Sequence, residues 1–310
     1  MDPDLIDRIV NEVHTTRRPI SEGAENWLYK PIQCLDHGFV YLIDYMGNDN
    51  AITQAARVSY GAGTKKISEE VGLIRYLRRH LHTTPTEMVE FKFHCKMPIF
   101  VARQWIRHRT ASVNEYSGRY SEMVNQFYLP DSAVLRKQSQ MNKQGRGEDL
   151  SPVNKERVLQ LLKEDYERVF GHYEDFLRDD IDLARELARI PLPLATYTEW
   201  YWKIDLHNLL HFLGLRLDSH AQYEIQVFGK AMAEIIKDSV PITYKAFEDY
   251  QVNAMRLSGP EIEFMRMLTA DSNMNRDGVK KNALERFKNK RETEEFMVKL
   301  DKLGFFEKED

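Results

Sequence analysis

Several things that would place a chain quickly are scarce here. Two cysteines stand among 310 residues, Cys34 and Cys95, too few for a disulfide framework or a cysteine-rich zinc site. No apolar run approaches the ~18–20 residues of a membrane span. The first residues, Met1-Asp2-Pro3-Asp4, are acidic and lead into no apolar signal segment. Neither sign of charge dominates: 44 Lys and Arg face 48 Asp and Glu, for a formal net charge of −4. The cation surplus that counterion release demands of a nucleic-acid coat is therefore missing, and no nucleic-acid polymer is expected as partner. These absences exclude a disulfide scaffold and a membrane protein, and they point to a globular protein of a reducing, cytoplasmic compartment. What is present is 42% hydrophobic and 30% charged residues, enough for a core. The length allows one large domain or two modest ones.

Patterning divides the chain. Leu5, Ile6, Ile9, Val10 and Val13 give a short helical period within an N-terminal extension, 1–36. The compact pattern begins near His37. Strands are expected at about 37–46, 88–97, 120–128 and 194–204. The clearest is Phe91 to Met97, which alternates apolar and polar residues up to Pro98. Helices are expected over 50–58, 68–80, 99–108, 152–178, 182–189, 206–215 and 220–238 from their 3.6-residue apolar period. Asn114 to Arg119 reads as a polar loop, and 136–151 as an exposed, mobile polar insertion. Beyond residue 253 both charge signs interleave with Phe and Leu, which predicts solvated amphipathic helices in a C-terminal extension. The fold class is α/β (α+β), a central sheet flanked by helices.

One window is denser in arginine than the rest: Arg103-Gln104-Trp105-Ile106-Arg107-His108-Arg109, followed by Asn114-Glu115-Tyr116-Ser117-Gly118-Arg119. On a helix Arg103 and Arg107 share one face, Gln104 and His108 the next. Guanidinium forks suit phosphate, and Gly118 lets backbone N–H groups approach an anion closely. An anion site and an ordinary solvated arginine face are both compatible with this window. A second constellation is Asp205, His207, His211, Arg216, Asp218 and His220. His207 and His211 have the i,i+4 spacing of a metal pair, but Asn208 stands where a zinc protease places Glu, and no third ligand follows at short spacing. No metal is expected; hydrogen-bonded helix-edge histidines, or contact with a flat aromatic cofactor, remain. A third set, His80, His82, Thr84 and Glu87, lies at a helix start, where orphan N–H groups favour an anion or an ordinary cap forms.

The residues of that window resemble a known family. Arg107-His108-Arg109, seven residues and Ser117 reproduce the RHR-x7-S signature of the flavin-dependent thymidylate synthases (ThyX). Flanking stretches resemble the same family in the right order: Phe39 to Asp49, Ala55 to Ser59, His82 to Glu87, Pro98 to Arg119, Ala188 to Pro193 and Leu215 to Gln222. The resemblance spans about residues 37–250 and implies a synthase domain at 37–252. It implies reductive methylation of dUMP to dTMP, with methylenetetrahydrofolate as carbon donor, NADPH as reductant and FAD as hydride carrier, in a homotetramer whose sites are shared between subunits. By the same resemblance Thr84, Arg107, His108, Arg109, Glu115, Asp205, His207 and His211 contact the flavin, with His82 nearby. Asp205 stands where some members have Asn. Gln104, Arg107, Glu115, Ser117, Gly118, Arg119, Arg189 and Arg216 match the dUMP-binding set. Arg216 is the candidate for chemistry, a cation against the uracil ring. Ser117 has no dedicated base and is assigned to binding. Neither cysteine lies in the arginine-rich window, which argues for flavin chemistry over a thiol nucleophile.

Overall fold

A computed structural model describes residues 3–58, 70–140, 145–270, 275–287 and 290–305, which fall into two compact units, 1–252 and 253–310. The larger is built on a five-stranded antiparallel sheet. Its strands are β1 (Ile32–Cys34), β2 (Gly38–Met46), β3 (Glu90–Pro98), β4 (Ser112–Glu115) and β7 (Tyr197–Asp205), in the order β1-β2-β3-β7-β4. The alternation of β3 decides its two faces. Phe91, Phe93, Cys95 and Met97 are buried on one side and joined by Val40, Leu42, Trp200, Trp202 and Ile204 from the neighbouring strands. Lys92, His94 and Lys96 turn to the other side beside Tyr41, Glu199 and Tyr201.

Helices cover the apolar face. These are α6 (Ile99–Trp105), α9 (Leu206–Arg216) and α10 (Tyr223–Ser239), which place Trp105, Phe212 and Phe228 in the core. Trp105 stacks on Phe212, ring centres 4.9 Å apart, and meets Trp202 edge-on at 5.1 Å. Before the sheet come α1 (Pro3–Asn11) and α2 (Glu22–Trp27). Residues 21–34, which the sequence assigns to the extension, supply α2 and the edge strand β1. Ser21 caps α2, and its Oγ donates to the Ser239 carbonyl at 2.7 Å, while Trp27 Nε1 donates to Asp238. Next along the chain are α3 (Asp49–Val58), α4 (Glu70–Arg79) and the single turn α5 (Thr84–Glu87). The expected helix start at Ser68, and Ser59 of the family-like stretch, lie outside the described residues.

Two expectations are corrected. Residues 120–128 form no strand; Phe127 makes one isolated bridge to Thr196. Scattered bonds stand in for a ladder there: Met123 N–H donates to Tyr173 Oη at 2.9 Å, Arg185 Nη1 to the Tyr120 carbonyl at 3.1 Å, and Tyr128 N–H to the Ala195 carbonyl at 2.9 Å. The remaining strand is β4, whose Asn114 and Glu115 fall in what reads as loop. Ser-Val-Asn-Glu carries no apolar alternation because the whole strand is exposed, and it forms by pairing with β7. The insertion folds as a hairpin of β5 (Arg136–Gln138) and β6 (Arg146–Asp149); 141–144 lie outside the described residues.

Long α7 (Pro152–Leu177) starts where Ser151 accepts the Asn154 N–H and Pro152 occupies the first turn. The helix expected at 182–189 shrinks to α8 (Arg185–Ala188), with Asp182 at φ 47° before it and Pro191 after it. Following α10 comes α11 (Pro241–Phe247). The second unit holds α12 (Gly259–Ala270), α13 (Arg276–Phe287) and α14 (Lys290–Lys302). Ser258 and Glu261 form a reciprocal capping box at the start of α12. Phe264, Leu268, Val279, Ala283, Phe296, Met297 and Leu300 make a small core, so these amphipathic helices bury one face against each other. No helix among the described residues is long and apolar enough to cross a membrane.

Candidate functional site

α9 organises the site. Asp205 is its N-cap: Oδ1 accepts the Asn208 N–H at 2.9 Å, and Oδ2 accepts from Asn208 Nδ2 at 2.7 Å. Leu206, Leu209, Leu210, Phe212 and Leu213 anchor the buried face. Polar residues occupy the rest: His207 is half-buried, His211 exposed, and Arg216 closes the last turn, half-buried.

After α6 the chain turns, and His108 N–H donates to the Trp105 carbonyl. This turn carries His108 onto α9. Its Nε2 lies 3.0 Å from Arg216 Nη2, and its ring meets Phe212 edge-on at 4.9 Å and His211 at 5.8 Å. A guanidinium can only donate, so His108 Nε2 is the acceptor and the ring proton sits on Nδ1. Burial, then the charge of Arg216 and His211, pushes the His108 pKa down from 6.5 to about 4. The imidazole is neutral at physiological pH. Burial also lowers the pKa of Arg216, though the group stays charged.

On α6 and α9 three buried polar atoms have no partner among the described residues: Gln104 Oε1 on α6, and His207 Nδ1 and Arg216 Nε near the two ends of α9. Unsatisfied buried polar groups are rare and each requires an account. Here they offer one acceptor, one cationic donor and one imidazole nitrogen on two adjacent helices. That set fits a ligand with both hydrogen-bonding edges and anionic oxygens, as a nucleotide and a flavin have. The three unpartnered indole N–H groups of Trp105, Trp200 and Trp202 lie within the aromatic core instead.

A second group gathers at the loop after β4. Glu115 Oε1 accepts from Thr198 Oγ1 at 2.8 Å. The Ser117 carbonyl accepts the N–H groups of Tyr120 and Ser121, and its Oγ accepts the Arg119 N–H at 3.3 Å, leaving no base beside it. Gly118 is buried. A Cβ there would lie 2.7 Å from Met123 Sδ and 3.3 Å from Arg189 Cδ, so any other residue would have to push the Met123 side chain aside. Arg119 is exposed, with Nε 3.2 Å from Glu186. Arg107 and Arg109 point to solvent, and no carboxylate of the described residues pairs with them. No hydrogen bond or ion pair among the described residues joins the Ser117–Arg119–Arg189 group to the His108–Arg216 group.

Thr84 opens α5 and is exposed; Thr83 makes no side-chain cap bond, and His80 and His82 lean on the Tyr76 ring instead. Burial lowers the His207 pKa, opposed by Asp205 and Glu87 and aided by Arg78. Arg78 thus lies near the site without being singled out by the sequence. A groove of about 670 Å³ runs along α7 beside Lys155, Gln160 and Lys163 with no candidate residue in its wall, and a cavity of about 540 Å³ is lined by His220, Ala221, Gln222 and Arg146. Both cysteines are fully buried, Cys34 pushed up to about 12 and Cys95 well up by desolvation, so neither forms a thiolate nucleophile. His220 is exposed and paired with Asp218. Among the described residues no three His, Cys, Asp or Glu side chains converge as metal ligands.

Comparison with known proteins places this architecture. The family described as "thymidylate synthase complementing protein" matches residues 41–242. A flavin-dependent thymidylate synthase of Ruegeria pomeroyi is 55% identical over 257 residues, covering 82% of this chain and 85% of its own. One from Wolbachia pipientis is 52% identical over 287 residues, 93% of this chain and 98% of its own; that alignment is longer than the segment 37–252. Among solved structures, the UMP/dUMP methylase PolB of Streptomyces cacaoi bound with 5-Br UMP matches with a TM-score of 0.63 at 35% identity. It covers 71% of this chain and 98% of that one.

Proposed function

The chain belongs to the thymidylate synthase complementing protein family, that of the flavin-dependent thymidylate synthases, and from that membership we propose that it converts dUMP to dTMP by reductive methylation. The observation that carries the reading is the 3.0 Å contact of Arg216 with His108, which joins the arginine-rich segment to α9. Arg216 is the catalytic residue. With Nη2 held by a neutral imidazole, its buried Nε is free to face the O4 edge of a uracil ring. Negative charge that develops at N3 and O4 as C5 becomes nucleophilic is then met by a preorganised cation. Gln104 offers its unpartnered acceptor to a ring N–H. Arg107, Glu115, Ser117, Gly118, Arg119 and Arg189 complete the dUMP set, the arginines reading the phosphate.

Thr84, Arg107, His108, Arg109, Glu115, Asp205, His207 and His211 hold the flavin. Asp205 contributes chiefly by starting α9, since both its oxygens are engaged in the cap. Bound there, FAD would supply the hydride chemistry that no side chain provides, with NADPH as reductant and methylenetetrahydrofolate as carbon donor. The depressed cysteine reactivity agrees with a mechanism free of thiols. The Ser117 and Arg216 groups share no hydrogen bond or ion pair among the described residues, and we assign them to one site built by two copies of a homotetramer. We assign 37–252 as the synthase domain, joined by residues 21–34 through α2 and β1, with 253–310 as a C-terminal extension and the cytoplasm as its compartment.

The test is spectroscopic. Purified protein is expected to be yellow, and dUMP to perturb the flavin absorbance. Colourless protein that takes up no FAD on reconstitution overturns the proposal.

A further inference from the structure

α4 carries three arginines, Arg75, Arg78 and Arg79, and packing treats them differently. Arg75 pairs with Asp249 at 2.7 Å and covers the Tyr250 ring at 4.9 Å; Arg79 is exposed. Arg78 alone of the described arginines is buried, at 8% exposure. Its Nη2 donates at 2.8 Å to Gln251 Oε1, a neutral acceptor, and its Nε is buried with no partner among the described residues. Desolvation pushes its pKa down, and no carboxylate among the described residues pairs with it. A buried cation lacking a counter-charge is strongly unfavourable in a fold that ends there.

Gln251 fixes where this cation points. It lies on Gly214 so closely that a Cβ there would meet Gln251 Nε2 at 2.4 Å. Gly214 continues the α9 stripe of His207 and His211 at i, i+4 and i+7. His207 brings a second unpartnered buried atom, Nδ1, and it is near enough to Arg78 to feel its charge. Two buried groups from two helices thus lack partners beside the residues assigned to the flavin.

We propose that Arg78 is a further cofactor-binding residue, whose guanidinium pairs with an anionic oxygen of the flavin nucleotide. This rests on the flavin reading above. A guanidinium has donors only, so its partner is an acceptor, and burial of a full charge calls for an anionic one. Two parts of FAD carry such oxygens: the pyrophosphate, and the pyrimidine edge of the reduced ring.

The experiment compares wild type, Arg78→Met and Arg78→Lys, each stripped of flavin and titrated with FAD by fluorescence. Arg78→Met is expected to raise the FAD Kd roughly 10- to 100-fold, the scale of a lost charged hydrogen bond, with Lys recovering part of it. The flavin-free Met variant should melt at or above the wild-type temperature, because it no longer buries an unpaired charge. A merely structural arginine would give the opposite sign. Unchanged midpoint potential with weaker binding assigns the pyrophosphate; a more negative potential assigns the ring edge. A wild-type protein that takes up no FAD sinks the flavin reading and this proposal together. Wild type that binds FAD, beside a Met variant that binds within twofold, overturns this proposal alone. So does a Met variant that changes assembly state at unchanged FAD affinity, which would place the counter-charge on a second copy of the chain.

Discussion

The sheet's outer face and the polar face of α9 both bury hydrogen-bonding groups, but only the first supplies every partner from within the chain. On β3, His94 Nε2 lies 3.0 Å from Glu199 Oε2 and Nδ1 lies 2.5 Å from Tyr41 Oη. A carboxylate only accepts, so Nε2–H donates to Glu199 and Nδ1 accepts from the tyrosine. Lys96 closes the set at 3.5 Å from the other carboxylate oxygen. The His94 hydrogen bond, with help from Lys96, holds Glu199 below its usual range, while burial raises Tyr41. Around α9 the corresponding atoms, Gln104 Oε1, His207 Nδ1 and Arg216 Nε, have no partner among the described residues. A closed network is finished by folding; an open one is finished by a ligand. Concavity would not have separated them, since the 670 Å³ groove lies beside α7.

The difference can be broken at either end. Arg216→Ala should lower methylation by ~10²–10³ or more, as loss of one preorganised electrostatic contact does, while FAD remains bound and the melting temperature holds. Near-normal turnover in steady-state assays would remove Arg216 from the chemistry. His94→Ala should do the reverse, costing roughly 2–4 kcal/mol in urea denaturation because Tyr41 and Glu199 lose a buried partner. Turnover per folded molecule should stay within about twofold; equal stability of mutant and wild type would mean the network is not closed.

The smallest effect concerns pH. Folded His108 stays neutral down to about 4, whereas the imidazole ordinarily charges near 6.5. Between those values the unfolded chain binds the extra proton, so stability is full above about pH 6.5 and declines as pH falls toward 4. Urea midpoints measured from pH 7 to 4.5 should therefore drop more steeply in wild type than in His108→Asn. Parallel slopes would contradict a buried neutral imidazole.

Much of the fold was legible because local signals agreed with packing. β3 announces both its faces by strict alternation, and α7 announces its start with Ser151-Pro152. β4 was hidden because an exposed four-residue edge strand carries no apolar pattern, and 120–128 misled because its backbone is engaged by the side chains of Tyr173 and Arg185 while Phe127 packs on Tyr166 and Phe170. The arginine window was visible as composition, yet its meaning came from the family signature. The pairing of His108 with Arg216 spans 108 residues and has no local trace. Arg78 is the sharpest case: in sequence it is one of three arginines on a helix, and only Gln251, 173 residues later, distinguishes it.

The length of α9 has a consequence of its own. Asp205 fixes where the helix begins and Arg216 is its last residue. At 1.5 Å per residue these ends stand ~16 Å apart, with His207 and His211 between them. The helix is therefore a ruler: it sets how far the reacting cation stands from the residues assigned to the cofactor, and at what angle. A single inserted residue would turn everything beyond it by about 100°, carrying Arg216 away from His108 while leaving every side chain of the site chemically intact.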